Sequence, residues 1–213
     1  MKMHAAAFLW ASATVAVFQP RSAVPLDFTR DFNLASCTFA STGRVPYFVL
    51  EPGHILNLED GKGVHLTITV TNETEIVGGI TTRVVEERET DHGALVEVSR
   101  NYFAICAENK GVFYFGEAVD MYKGGKIVSH EGAWRHGSNG AAAGLMIPAL
   151  PLVGGRYHQE VAPKVAMDRA EILATDGRLR TPYGALTHVL ETRESTPLEP
   201  GATELKSYAR ALA

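Results

Sequence analysis

The segment His65-Leu-Thr-Ile-Thr-Val-Thr-Asn72 decides the fold class of this chain. Apolar and polar residues alternate along it, so Leu66, Ile68 and Val70 share one face of an extended strand. Segments rich in Val, Tyr, Phe and Thr predict further strands at 81–89, 95–106, 112–115, 187–194 and 204–209. Turn signals separate the earlier ones, at 78–79, 91–93, 109–111 and 124–125. The sequence therefore predicts an all-β, mainly antiparallel domain.

Two architectures fit this strand pattern, a curved half-barrel and a closed lipocalin-like barrel. Residues 135–156 form the longest stretch without a strand pattern, and the glycines at 137, 140 and 144 also argue against a helix there. We expect this stretch to be a loop, either a surface crossover between two halves of the sheet or a lid.

The first 23 residues have the pattern of a secretory signal peptide. Lys2 precedes an uncharged apolar run at residues 5–18, and Pro20 ends the run. The small residues before Ala16 and Ala23 offer two cleavage points, and the run is too short to span a bilayer. The sequence thus predicts a periplasmic or secreted protein, with a signal peptide at 1–23, an N-terminal extension at 24–45 and one β domain at 46–213.

Charge excludes one class of partner. Removing residues 1–23 would leave 18 basic against 24 acidic side chains, a net charge of −6, with no basic block. Binding of nucleic acid through its phosphates is therefore not expected. The mature part has no apolar run of membrane-spanning length, and it lacks the glycine patterns that bind nucleotides and dinucleotides. No cofactor is indicated.

The two cysteines, Cys37 and Cys106, predict a disulfide bond if the protein is exported. The bond would close a loop of about 70 residues, which the chain-entropy model values at about 4 kcal/mol. The alternative is a pair of buried free thiols, and the cysteine spacing does not match a metal site.

Five motifs lie between Cys37 and the end of the chain: Cys37-Thr-Phe-Ala-Ser-Thr-Gly-Arg44, Pro46-Tyr-Phe-Val-Leu-Glu-Pro-Gly53, Val112-Phe-Tyr-Phe-Gly-Glu117, Ser129-His-Glu-Gly-Ala-Trp134 and Thr196-Pro-Leu-Glu-Pro-Gly201. Together they resemble motifs of a group of uncharacterised exported bacterial β proteins. The second motif contains a Tyr-Phe-x-Leu-x-Pro-Gly strand start, similar to one in half-barrel and lipocalin-like secreted domains. The resemblance implies a fold type and export, and no activity.

A hairpin around residues 163–167 would assemble the best candidate catalytic group, His158, Glu160 and Asp168. In that register Ala162 opposes Asp168 and Glu160 opposes Ala170, so the three polar side chains share one face. They could hold a hard cation, or one carboxylate could orient His158 as a base. The alternative is a solvated sheet face with ordinary charges. Glu117 and Asp120 could supply oxygen ligands for calcium, although their spacing matches no calcium-loop pattern and surface acids in a turn are the simpler explanation.

The function that we expect first is the binding of a small apolar or amphiphilic ligand inside the curved sheet. Aromatic residues in the central strands would either line such a cavity or fill a dry core: Tyr102, Phe103, Phe113, Tyr114 and Phe115. The alternatives are a hydrolase or lyase that uses the His158 group, and a structural protein of the cell envelope.

Overall fold

The computed structural model describes residues 27–210, so the predicted signal peptide lies outside the described residues. Within this range the chain has one turn of 3₁₀-helix at Leu34–Ser36 and is otherwise built of strands and turns. The strands are β1 Phe39–Ala40, β2 Arg44–Val45, β3 Phe48–Val49, β4 Ile55–Glu59, β5 Val64–Val77, β6 Ile80–Asp91, β7 Ala94–Cys106, β8 Val112–Lys123, β9 Lys126–Ser129, β10 Trp134–Arg135, β11 Ala142–Ile147, β12 Arg156–His158, β13 Glu160–Val161, β14 Arg169–Thr181, β15 Gly184–Ser195 and β16 Thr203–Tyr208.

The strands form an all-β structure with one large, curled antiparallel sheet. Its main order is β13-β11-β8-β7-β6-β5-β4, with β1 added beside β7 and with β9 and β10 beside β8. A second sheet has the order β12-β14-β15-β16, and a small hairpin pairs β2 with β3. The large sheet ends at β4 and β13 without closing, so it is the predicted half-barrel. None of the described elements is a helix long and apolar enough to cross a membrane.

Two hydrophobic cores hold the sheets in place. The inner core lies between the sheets, where Val85 and Phe103 of the large sheet pack in one cluster with Ile172 and Leu190 of the second. The outer core covers the convex side of the large sheet and contains Phe113 and Phe115, with segment 32–39 packed against it. Burial on both faces explains why the end of β7 and the start of β8 are continuously apolar.

The N-terminal segment is fastened to the large sheet at the end of β7. Phe39 pairs with Cys106, and the Cys37 and Cys106 sulfur atoms lie 2.12 Å apart, the distance of a disulfide bond. This agrees with the predicted bridge. The segment also reaches the second sheet, where Thr29 bridges to Tyr157.

The prediction of a long loop at 135–156 is wrong for its middle part. Ala142–Ile147 forms β11, which pairs with β8 on one side and β13 on the other. Gly144 makes this possible, because a Cβ atom there would lie 2.2 Å from the carbonyl oxygen of Gln159. The glycine that argued against regular structure is therefore needed for a close approach of two backbones.

Candidate functional site

The concave face of the large sheet carries acidic residues in its centre. Strand register places side chains in rows that cross the strands between β4 and β8, and each row begins at an apolar residue and contains at least one carboxylate. One row is Leu58, Leu66, Glu89, Glu97 and Met121; the next is Leu56, Ile68, Glu87, Ser99 and Val119; the third is Val70, Val85, Asn101 and Glu117.

A bulge at Gly116 turns Glu117 towards this face. Gly116 has φ +138°, and a Cβ atom there would lie 2.3 Å from the carbonyl oxygen of Trp134. The bulge adds one residue to β8 and so shifts which of its side chains point to each face. As a result, Tyr114 pairs with Phe103 and Glu117 pairs with Asn101. Tyr114 therefore enters the inner core, its hydroxyl donates to Asn101, and Glu117 remains on the same concave face.

Burial and crowding raise the pKa values of the carboxyl groups on the large sheet. Burial is the main cause for Glu87, with Glu97 and Glu89 adding to it, and the pKa of Glu97 is raised in the same way. The pKa of Glu117 rises from 4.5 to about 7, chiefly through burial, with Glu97 and Glu87 among the repelling neighbours.

Two of the residues predicted from the sequence join this group. Glu160, in β13, accepts a hydrogen bond of 2.7 Å from Nε1 of Trp134, and burial and the nearby Glu117 raise its pKa to about 8. Burial also raises the pKa of Asp168, while Lys206 opposes the rise. The pKa of Glu160 responds to Asp168, so the structure brings these two carboxyl groups into one environment.

The second sheet contributes a buried carboxylate with a full set of donors. Oε1 of Glu194 accepts hydrogen bonds from Tyr208 (2.9 Å), Gln159 (3.0 Å) and Thr192 (3.2 Å). Its Oε2 lies 2.8 Å from Nζ of Lys206. We call the group that faces the space between the sheets the acidic interior, and it consists of Glu87, Glu97, Glu117, Glu160, Asp168, Glu194 and Lys206.

Two buried polar groups beside Glu194 lack a hydrogen-bond partner among the described residues. Gln159 is 2% exposed, and its Oε1 has no partner although its Nε2 donates to Glu194. Tyr157 is 5% exposed and its hydroxyl has no partner. Burial and the charge of Glu194 raise its pKa, which places this hydroxyl near the same carboxylate. Buried polar atoms are normally satisfied, so these two indicate a ligand or solvent position.

The acidic interior is open at two places. A cleft of about 200 Å³ lies at its Asp168 end and is also lined by Glu194, Thr196 and Glu204. At the Glu87 end, the concave face continues onto an apolar shelf, which we define as Leu56, Leu58, Leu66 and Ile68. Leu56 is 45% exposed and Leu58 is 51% exposed, so the second sheet leaves this part of the face uncovered.

His158 does not belong to the acidic interior, so the predicted arrangement of three side chains on one face is wrong. The hairpin exists, but Ala162 pairs with Ala166, and Ala170 lies opposite Tyr157, not Glu160. His158 therefore pairs with Arg169 on the opposite face, where its ring contacts that of Phe28 at 6.1 Å between centroids. A shorter turn than expected and an irregularity between β12 and β13 account for the different register. Burial lowers the pKa of His158.

The calcium hypothesis for Glu117 and Asp120 is not supported by their positions, because the two side chains lie on opposite faces of β8. Asp120 forms a 3.0 Å ion pair with Arg100 on the convex side. Among the described residues, only Cys37, Cys106 and Glu108 bring three potential metal-ligand atoms within 4.8 Å of one another. The two sulfur atoms are joined to each other, so this trio is a disulfide with a neighbouring carboxylate.

The aromatic residues of the central strands are packed in the cores. Phe103 and Tyr114 stack at 4.6 Å in the inner core, whereas Tyr102, Phe113 and Phe115 belong to the outer core. All five are at most 5% exposed, so they do not line an open cavity.

Sequence reasoning missed Glu87, Glu97 and Glu194. A signal was present, because Glu87 is two residues from Val85 and therefore shares its face in a strand. The alternation of inward and outward residues was not visible in the sequence here, because Glu86 and Arg88 flank Glu87 and both faces therefore carry charges.

Comparison of the chain with protein-family models, with curated proteins and with solved structures gives no match in any of the three.

Proposed function

We propose that this chain is an exported protein that binds a small amphiphilic molecule between its two sheets. The observation that carries the proposal is the apolar shelf beside carboxyl groups on one open concave face. Ile68 pairs directly with Glu87, and Leu66 pairs with Glu89. A ligand with an apolar tail and a polar head would therefore meet both kinds of surface within the width of two strands.

The exposure of the shelf supports this proposal. Leucines on an uncovered concave surface leave apolar area in contact with water, and burial of such area favours binding by about 25 cal/mol per Å². Pockets that combine apolar walls with a few polar groups are the usual form of small-molecule sites. The disulfide suits the oxidising compartment that export would provide.

The enzyme alternative has less support. As predicted from the sequence, it needs His158 beside Glu160 and Asp168, and the strand register separates the imidazole from both carboxyl groups. The raised pKa values of Glu117 and Glu160 would suit proton transfer, but a carboxyl group that is buried for structural reasons has the same property. No described feature favours the third role, that of a structural envelope protein.

The test uses N-phenyl-1-naphthylamine, a neutral probe that fluoresces in apolar surroundings. We expect the native protein to bind it saturably, and Leu58→Glu to weaken binding at least tenfold, since the substitution places a charge on the shelf. Leu205→Glu is the matched control, because Leu205 is 72% exposed and lies on the outer face of β16.

Two outcomes would contradict the proposal. One is the absence of saturable binding to native protein whose fold is verified by circular dichroism. The other is an equal loss of binding in Leu58→Glu and Leu205→Glu, because the shelf would then have no special part in binding.

A further inference from the structure

We infer that the free edge of β4 pairs with the same edge of a second copy of this chain, so that two large sheets become one. The inference goes beyond the proposed function and does not depend on it. β4 is the last strand of the large sheet, and of the strands within residues 27–210 only β5 pairs with it. Apolar side chains are exposed on both of its faces, Ile55 on one and Leu56 and Leu58 on the other.

The backbone groups that face this edge follow from the register. His54 accepts a hydrogen bond from the N–H of Val70 (2.9 Å), and the N–H of Asp60 donates to Val64 (3.2 Å), so both ends of β4 bond to β5 through even-numbered residues. The pairing between these ends is regular, and backbone direction alternates along a strand. The N–H and C=O groups of residues 55, 57 and 59 therefore point away from β5.

β4 lacks the devices that normally keep an edge strand from pairing with another chain. Lysine, proline and inward-pointing charges are such devices. The edge strand of the second sheet has one, because Lys206 of β16 points into the acidic interior, 2.8 Å from Glu194. β4 contains neither lysine nor proline, and its one charged residue, Glu59, stands at its end.

The sequence of β4 is complementary to itself, and this identifies a second copy as the partner. Antiparallel pairing about a two-fold axis at Asn57 places Leu56 of each copy opposite Leu58 of the other. The free backbone groups then meet one another and form about six hydrogen bonds. Beyond the strand ends, His54 lies opposite Asp60 of the second copy, an imidazole opposite a carboxylate. Moving the axis by one residue would set Leu58 opposite His54, or Leu56 opposite Asp60, so only this register keeps the leucines together.

The paired edges would also join the two apolar shelves. The two-fold axis of an antiparallel pair is perpendicular to the sheet, so the concave faces of both copies lie on the same side. Leu56 and Leu58 of each copy then form one apolar surface across the axis, and each copy completes the shelf of the other.

Sedimentation equilibrium of the protein between about 5 and about 500 µM tests the pairing. We expect a monomer–dimer equilibrium with a dissociation constant in the micromolar range, since five residues from each edge make a small interface. Asn57→Lys sets two like charges against each other at the axis and should raise this constant about fivefold or more. Leu205→Lys is the control, because it adds the same charge to an exposed position of the other edge strand, β16.

Cysteine cross-linking tests the register. In Asn57→Cys the two new cysteines face each other with Cα atoms about 5.5 Å apart, within the range of a disulfide bond. In Ile55→Cys they are four residues out of register, about 13 Å apart along the strands. Since Cys37 and Cys106 are bonded to each other, the new cysteine is the free thiol in each variant. Oxidation should therefore link Asn57→Cys into dimers at least about tenfold faster than Ile55→Cys.

Three results would overturn the inference. One is a monomer at every concentration, in protein whose fold is verified by circular dichroism. Another is an equal change of the dissociation constant in Asn57→Lys and Leu205→Lys, which would place the contact elsewhere. The third is cross-linking of Ile55→Cys as fast as that of Asn57→Cys, which would refute the two-fold axis at residue 57.

Discussion

The Glu160→Gln variant should be more stable than the native protein, by an amount that grows with pH. Glu160 is surrounded by Glu117 from β8, Asp168 before β14, Lys206 from β16 and Trp134 from β10, and burial is the main cause of its raised pKa. The folded state therefore keeps its proton where the unfolded state has lost it. Its contribution to stability is complete below pH 4.5 and is lost as the pH rises towards 8. Glutamine stays neutral throughout and still offers Trp134 an acceptor.

The size of the effect follows from the pKa of Glu160 in the folded state. A rise from 4.5 to about 8 corresponds to about 5 kcal/mol when the group is fully ionised. This is an upper bound, because part of the rise comes from Glu117 and Asp168, which titrate in the same environment. We therefore expect the stability difference between variant and native protein to grow by about 2–3 kcal/mol between pH 5 and pH 9.

Urea unfolding at both pH values, followed by tryptophan fluorescence and circular dichroism, measures this difference. Glu131→Gln is the control, since Glu131 lies in an exposed turn, and its stability relative to the native protein should not vary with pH. A stability difference for Glu160→Gln that is the same at pH 5 and pH 9 would refute the reasoning. It would mean that this carboxyl is ionised and solvated in the folded protein.

Two further predictions concern the close contacts of the fold. Gly144→Ala should lower the free energy of unfolding by about 3 kcal/mol, because the added Cβ would overlap the backbone of Gln159. Gly79→Ala is the control and should cost only about 1 kcal/mol, since Gly79 has φ +83° but open space around it. Equal losses of stability in urea unfolding would contradict this prediction. Cys37→Ala should cost about 4 kcal/mol, since Cys37 and Cys106 are 69 residues apart. Native protein that titrates with two free thiols when denatured without reductant would show that no bridge forms.

The alternating strands were readable from the sequence because one face of each is apolar. In β5, Leu66, Ile68 and Val70 alternate with threonines, and the predicted segment lies inside Val64–Val77. The predicted strands at 81–89 and 95–106 likewise lie inside β6 and β7. The alternation of apolar and polar residues and the Gly-containing turns both depend only on neighbouring residues, so they can be recognised in a single sequence.

The acidic interior was only partly readable, because it depends on register and on contacts between distant strands. The structure brings Glu160 and Asp168 into one environment, whereas the register of the short hairpin differs from the predicted one and places His158 on the other face. Glu117 faces inward only because of the bulge at Gly116. In β11 the small side chains of residues 142–144 gave no alternation, since that strand is packed between two others.

The shortest of the three connections between the two sheets bears on how a ligand would enter and leave. β12 ends at His158 in one sheet and β13 begins at Glu160 in the other, so a single residue, Gln159, makes the crossing. The N–H groups of Gln159 and Glu160 both donate to the carbonyl of Asp168, at 2.8 and 3.1 Å. A corner this short and this well bonded cannot serve as a hinge, because hinges need residues free to change φ and ψ. We therefore expect exchange of ligand through the open rim, with the scattering profile of the protein in solution unchanged by saturating N-phenyl-1-naphthylamine.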